Sequence, residues 1–196
     1  MKLCSRAVNN VQVINEEGQV RICGWQKDGG IIGKLTEQSL EEIYHSKEAE
    51  LIRENHIKKD YSNCNPNACP YVANDNVEGM FIELEEVPKF PSTIALAYEN
   101  VCNYHCVMCT IPDCAKRINA AKREEKYNKI DAELRKILPY VKRVSANGLG
   151  ELFASKHTLK LLSEWKPIAE PSECSVALET NGSLFNGLLS YPLLHR

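Results

Sequence analysis

The sequence has no long hydrophobic run: nowhere in its 196 residues is there a stretch near the roughly 20 apolar residues that span a bilayer. Its opening, Met1-Lys2-Leu3-Cys4-Ser5-Arg6, lacks the apolar core of a secretory signal, so a cytoplasmic location and no membrane partner are expected. An excess of one charge is missing too. With 24 Lys and Arg against 26 Asp and Glu, the net charge of −2 gives no electrostatic footprint for nucleic acid. The basic pairs Lys116–Arg117 and Lys122–Arg123 lie among acids and read as a solvated helix face. There is also no internal repeat and no low-complexity tract, which sets aside solenoids and disordered linkers.

What the sequence does have is cysteine. Nine occur, at positions 4, 23, 64, 69, 102, 106, 109, 114 and 174. In a reducing compartment a disulfide framework is the weaker explanation, and an odd count at uneven spacing argues the same way. Soft thiolates grouped at short spacing point instead to zinc or iron–sulfur.

The chain divides at Glu85-Glu86-Val87-Pro88-Lys89-Phe90-Pro91-Ser92, where two prolines interrupt any helix or central strand. Before it, Val11–Ile14 and Gln19–Ile22 predict a hairpin turning at Gly18, and apolar spacing predicts a helix over 39–59. After it, strands are expected at Ile94–Tyr98, Val141–Ala146 and Ser175–Leu178. Helices are expected at about Cys114–Leu138 and Ser155–Trp165. Strand and helix in alternation imply crossovers and a parallel sheet.

Directly after the strand at Ile94–Tyr98 comes Cys102-Asn103-Tyr104-His105-Cys106-Val107-Met108-Cys109. Three thiolates from one compact loop suit the closely spaced iron corners of a [4Fe–4S] cubane, and three ligands leave one iron without protein sulfur. A structural zinc site wants four ligands and a closed shell, with Cys114 the only nearby candidate; inert core cysteines are the remaining alternative. Gly148-Leu149-Gly150-Glu151 and Thr180-Asn181-Gly182 end the next two strands. Taken alone, each reads as a plain turn.

Together these three elements resemble the signature of the radical S-adenosylmethionine (radical SAM) enzymes. The resemblance implies an α/β fold: an incomplete (βα) partial TIM-like barrel over residues 92–196, with its C-terminal part missing. At about 30 residues per βα unit, three further units are on the order of 80–100 residues. It also implies roles for residues. Cys102, Cys106 and Cys109 would bind the cluster, and its open iron would take S-adenosylmethionine. Gly148, Gly150 and Glu151 would hold the cosubstrate's amino group, Asn181 would lie near its nucleoside, and Met108 would pack on adenine in place of the family's usual aromatic. The expected reaction is reductive cleavage to a 5′-deoxyadenosyl radical that abstracts hydrogen, driven by an external one-electron reductant of flavodoxin or ferredoxin type. The substrate class expected is a peptide, a protein or a sugar-linked molecule, and no catalytic side chain is identified.

Residues 1–87 resemble a second family element. Cys4, thirteen intervening residues to Gly18 and four to Cys23 are similar to the opening of the SPASM domains that accompany many of these enzymes. Ile32-Gly33-Lys34-Leu35 and Ser39-Leu40-Glu41-Glu42-Ile43-Tyr44 are similar to their hairpin exit and helix. The implied fold is a small α+β cysteine-rich domain placed ahead of the barrel segment rather than after it. Cys64 and Cys69 would complete four thiolates, enough for a second [4Fe–4S] cluster or for zinc. Two other readings stand beside the enzyme: an iron–sulfur electron-transfer module, and a zinc-stabilised interaction module without catalysis. Cys114 and Cys174 receive no role.

Overall fold

The computed structural model describes residues 1–109, 120–146 and 149–184. A short strand β1 (Lys2–Cys4) and helix α1 (Ser5–Asn9) lead directly into β2 (Asn10–Ile14). The chain turns through Asn15–Gly18 into β3 (Gln19–Arg21), and β4 (Ile31–Lys34) completes an antiparallel ribbon. Strand alternation sets the faces: Val11, Val13 and Val20 are fully buried, whereas Arg21 Nε donates to Gln12 Oε1 across the pair at 2.7 Å.

The helix expected over 39–59 is two helices, α2 (Leu40–Tyr44) and α3 (Lys47–Ile57). The break has a local cause. Ser39 and Glu42 form a reciprocal capping box at the start of α2, and Ser46 then acts as a second N-cap, accepting the Ala49 N–H at 3.3 Å. A single turn α4 (Pro70–Ala73) begins at Cys69, and β5 (Phe81–Glu83) returns to pair with β1.

The second half alternates as expected: β6 (Thr93–Ala97), α5 (Ala120–Ile137), β7 (Arg143–Ala146), α6 (Lys156–Glu164) and β8 (Ser175–Leu178). The expected start of α5 at Cys114, and Cys114 itself, lie outside the described residues. Tyr127, Ile130, Leu134 and Ile137, spaced three or four apart, are the buried stripe of α5. The strands form one six-stranded sheet in the order β4-β3-β2-β6-β7-β8, with β2, β6, β7 and β8 all parallel. The proline-bearing boundary therefore falls between β5 and β6, and the sheet runs straight across it through the pairing of Asn10–Ile14 with Thr93–Ala97.

The two halves also meet at the hairpin turn. Gly18 has φ +64°, and a Cβ there would come within 2.8 Å of Ile130 Cγ1, so both conformation and space call for glycine. Arg123 of α5 pairs with Glu16 at 2.7 Å, and Lys126 pairs with Glu17. No helix among the described residues is long and apolar enough to cross a membrane.

Under the carboxyl ends of the parallel strands lies a polar cluster. Tyr98 Oη donates to Asp131 at 2.6 Å, and His157 Nδ1 meets the other Asp131 oxygen at 2.8 Å. His157 Nε2 lies 3.3 Å from Glu124, so both ring nitrogens face carboxylates. Glu99 caps α6, accepting Thr158 N at 2.7 Å, Thr158 Oγ1 at 2.8 Å and His157 N at 3.3 Å. Burial raises the Glu99 pKa. Burial also opposes charge on His157, but Asp131, Glu124 and Glu99 outweigh it and hold the imidazole pKa above its usual value.

A histidine that binds its proton more tightly when folded stabilises the fold fully below its unfolded pKa, and that contribution fades as pH rises through the folded value. His157→Gln should therefore lower the melting temperature at mildly acidic pH, and the gap to wild type should narrow on going alkaline. Thermal melts across that range check this; a gap that widens with pH refutes it.

Candidate functional site

The parallel sheet has two edges, and each gathers one set of thiols. At the carboxyl edge, the chain leaving β6 forms the loop of Cys102, Cys106 and Cys109. Cys102 is half-buried and the other two are exposed, and the Cys109 N–H bonds to Cys106 O at 3.0 Å. The end of β7 braces this loop. Glu151 N donates to Val101 O at 2.6 Å, and a Cβ on Gly150 would stand 2.4 Å from that same oxygen and 2.9 Å from Glu99 O. Glycine at 150 is what lets the two backbones touch. Gly148 lies outside the described residues.

Glu151 is only 1% exposed, and its carboxylate is engaged by the protein. Oε1 accepts Phe153 N at 3.1 Å and Thr180 Oγ1 at 2.5 Å; Oε2 accepts Asn181 N at 2.6 Å. A carboxylate has about four lone-pair sites, so among the described residues one is left without a donor, on Oε2. Asn181 Nδ2 then donates to Asn103 Oδ1 at 3.1 Å, and Asn103 Nδ2 donates to Ser183 Oγ at 2.8 Å. The structure thus brings the cysteine loop, Gly150–Glu151 and Thr180–Asn181 into one hydrogen-bonded unit. Met108, Val107 and Tyr104 stand exposed on the loop beside it. The sequence reading missed the linking role of Asn103: it sits inside the cysteine motif, but its partner is 78 residues away.

The second set lies at the amino edge. Cys4 sits between β1 and α1, Cys23 just past β3, Cys64 in the loop after α3, and Cys69 at the start of α4. All four line one cavity, walled by apolar side chains such as Ile22, Ile52, Trp25 and Met80. Burial raises the pKa of Cys4 and Cys23 and pushes Cys64 up to about 11. The neighbouring thiols Cys69, Cys4 and Cys23 add to the effect at Cys64. Backbone amides of Arg6 and Ala7 at Cys4, and of Trp25 at Cys23, work in the opposite direction, as donors that favour thiolate. Among the described residues no three Cys, His, Asp or Glu side chains are grouped tightly enough to hold one metal ion, so binding must draw these thiols inward. Four soft donors around an apolar space fit either a [4Fe–4S] cluster or zinc by donor chemistry. Cys174 is half-buried at the start of β8, apart from both sets, its thiol directed at Ala169 O.

The sets are separated by at least the strands between them. Four rises from Thr93 to Ala97 span about 13 Å before the loops at either end are added. The two sets of thiols are therefore separate.

Comparison with known proteins bears on the amino-edge set. Residues 4–70 match the SPASM family, an iron-sulfur cluster-binding domain, and this stretch contains Cys4, Cys23, Cys64 and Cys69. SPASM domains occur in radical SAM enzymes. No curated protein and no solved structure matches the chain.

Two outcomes are expected. Replacing Cys102, Cys106 and Cys109 together by Ala should leave the amino-edge centre loaded: about four irons and a brown colour for a cluster, or about one zinc and no colour. A triple variant that is stably folded yet free of both metals would show the four remaining cysteines to be plain buried thiols. Gly150→Ala should push the cysteine loop off β7 and lower the iron held there, leaving the amino-edge metal in place. Iron per chain equal to wild type in that variant counts against the bracing role.

Proposed function

We propose that this chain is a radical SAM enzyme, or the first part of one, with an N-terminal SPASM iron–sulfur domain. The observation that carries the reading is the convergence at the carboxyl edge. A three-cysteine loop, the Gly150–Glu151 strand end and the Thr180–Asn181 strand end are hydrogen-bonded together, although 49 residues separate Cys102 from Glu151 and 30 separate Glu151 from Asn181. The carboxyl edge of parallel strands is where α/β folds build their sites. Residues 92–196 are read as the opening βα units of a partial barrel.

In this reading Cys102, Cys106 and Cys109 hold a [4Fe–4S] cluster with one iron left for S-adenosylmethionine. Such a cluster would supply the one electron needed to split S-adenosylmethionine into methionine and a 5′-deoxyadenosyl radical able to take hydrogen from a substrate. The protein's part is placement. Gly150 and the Glu151 N–H fix the base of the loop. The remaining lone pair of Glu151 Oε2 is the acceptor for the cosubstrate's ammonium group. Asn181, held by Glu151 and Asn103, stands where the nucleoside would lie, and the exposed Met108 supplies an apolar surface for adenine. An external one-electron donor of flavodoxin or ferredoxin type would reduce the cluster, and a peptide, protein or sugar-linked molecule is the substrate class we favour.

The test is anaerobic incubation of the reconstituted chain with dithionite and S-adenosylmethionine, with 5′-deoxyadenosine as the readout. Wild type should form it. Cys102→Ala, Cys106→Ala and Cys109→Ala should each abolish it and remove about four irons per chain. Full cleavage in any of the three refutes the assignment. Glu151→Gln places an amide N–H₂ among donors, so it should weaken cosubstrate binding roughly ten- to a hundredfold, the range for loss of a charge-assisted hydrogen bond.

A further inference from the structure

Beside the four thiols of the amino-edge cavity lies a histidine that the cysteine pattern does not include. His56, on the last turn of α3, is 5% exposed and lines the same cavity. Its Nε2 stands 3.7 Å from Cys64 Sγ, within hydrogen-bond range for sulfur, and its Nδ1 is buried without a partner among the described residues. Tyr61 packs against the ring at a centroid distance of 5.8 Å, so the imidazole is held in place rather than swinging in solvent.

We infer that His56 is a positioning residue for the amino-edge metal centre, donating its Nε2–H to the sulfur of metal-bound Cys64. The inference rests on the reading of Cys4, Cys23, Cys64 and Cys69 as metal ligands. In the metal-free protein the Cys64 thiol carries its own proton, and either partner can donate. Metal binding removes that proton, leaving a sulfur that only accepts, and the imidazole then satisfies it solely as the Nε2–H tautomer. A donor on a cluster thiolate stabilises the more negative, reduced form, and so raises the reduction potential. Removing it should make the centre harder to reduce.

The experiment uses the full-length chain with Cys102, Cys106 and Cys109 replaced by Ala, so that only the amino-edge centre is observed. Three forms are compared: His56, His56→Leu and His56→Gln. Leucine keeps the bulk without a donor, and glutamine restores an N–H. If the centre is iron–sulfur, an anaerobic redox titration followed by electron paramagnetic resonance should place the midpoint of His56→Leu at a more negative potential. His56→Gln should return it toward that of the parent. If the centre is zinc, chelator competition should show His56→Leu holding it about ten- to a hundredfold less tightly, with recovery in His56→Gln. An unchanged midpoint or zinc affinity in a loaded His56→Leu overturns the inference. So does loss of metal that His56→Gln fails to restore, because that reports packing alone. If the parent triple variant binds neither metal, the metal reading itself fails and the inference falls with it.

Discussion

Everything distinctive about this molecule follows from the parallel pairing of β2 with β6. The two strands come from either side of a proline-marked boundary and are more than eighty residues apart in sequence, since Asn10 pairs with Thr93. Because they run in the same direction, whatever precedes β2 lies at the amino edge and whatever follows β6 lies at the carboxyl edge. Cys4 and α1 precede β2, and antiparallel β3 returns Cys23 to the same end; Cys102, Cys106 and Cys109 follow β6. An antiparallel pairing would have put the two thiol sets side by side. The pairing is reinforced at the carboxyl edge, where Glu16 and Glu17 meet Arg123 and Lys126 and Gly18 seats Ile130. These half-exposed ion pairs contribute little alone, roughly 0–1 kcal/mol each. The apolar seat and the backbone ladder do more to fix the docking.

What the sequence makes legible is local. Strand alternation at Val11 and Val13, the turn at Gly18, the stripe on α5 and the spacing of Cys102, Cys106 and Cys109 all depend on neighbours within a few residues. The five sheet strands expected from alternation and turn chemistry form within a residue or two of their expected bounds. The broken helix at Ser46 was legible in the same way: Ser46 precedes a run of helix formers with acids in the first turn, and is itself a cap. Reading through it weighed apolar spacing over capping chemistry.

What was not legible is what closes at long range. Gly18 reads as a turn residue, but nothing local reveals that it also makes room for Ile130, 112 residues on. Glu99 reads as a loop acid, yet it caps α6 from 58 residues away. His56 reads as one more polar residue on a charged helix until the chain folds Cys64 against it. In each case the sequence states the chemistry of one partner, and only the fold supplies the other.

The same principle separates the two thiol sets. At the amino edge four thiols line a cavity walled by apolar side chains. At the carboxyl edge three donors lie on an exposed loop, and the polar groups around them, Glu151, Asn103 and Asn181, already bond to one another. That network holds its own shape before any ligand arrives, so a ligand would meet fixed donors and acceptors rather than order them, which lowers the entropic cost of binding. Glu151 is central to it. Its buried carboxylate takes three donors, from Phe153, Thr180 and Asn181, and so ties the chain beyond β7 to the chain beyond β8 before any ligand arrives.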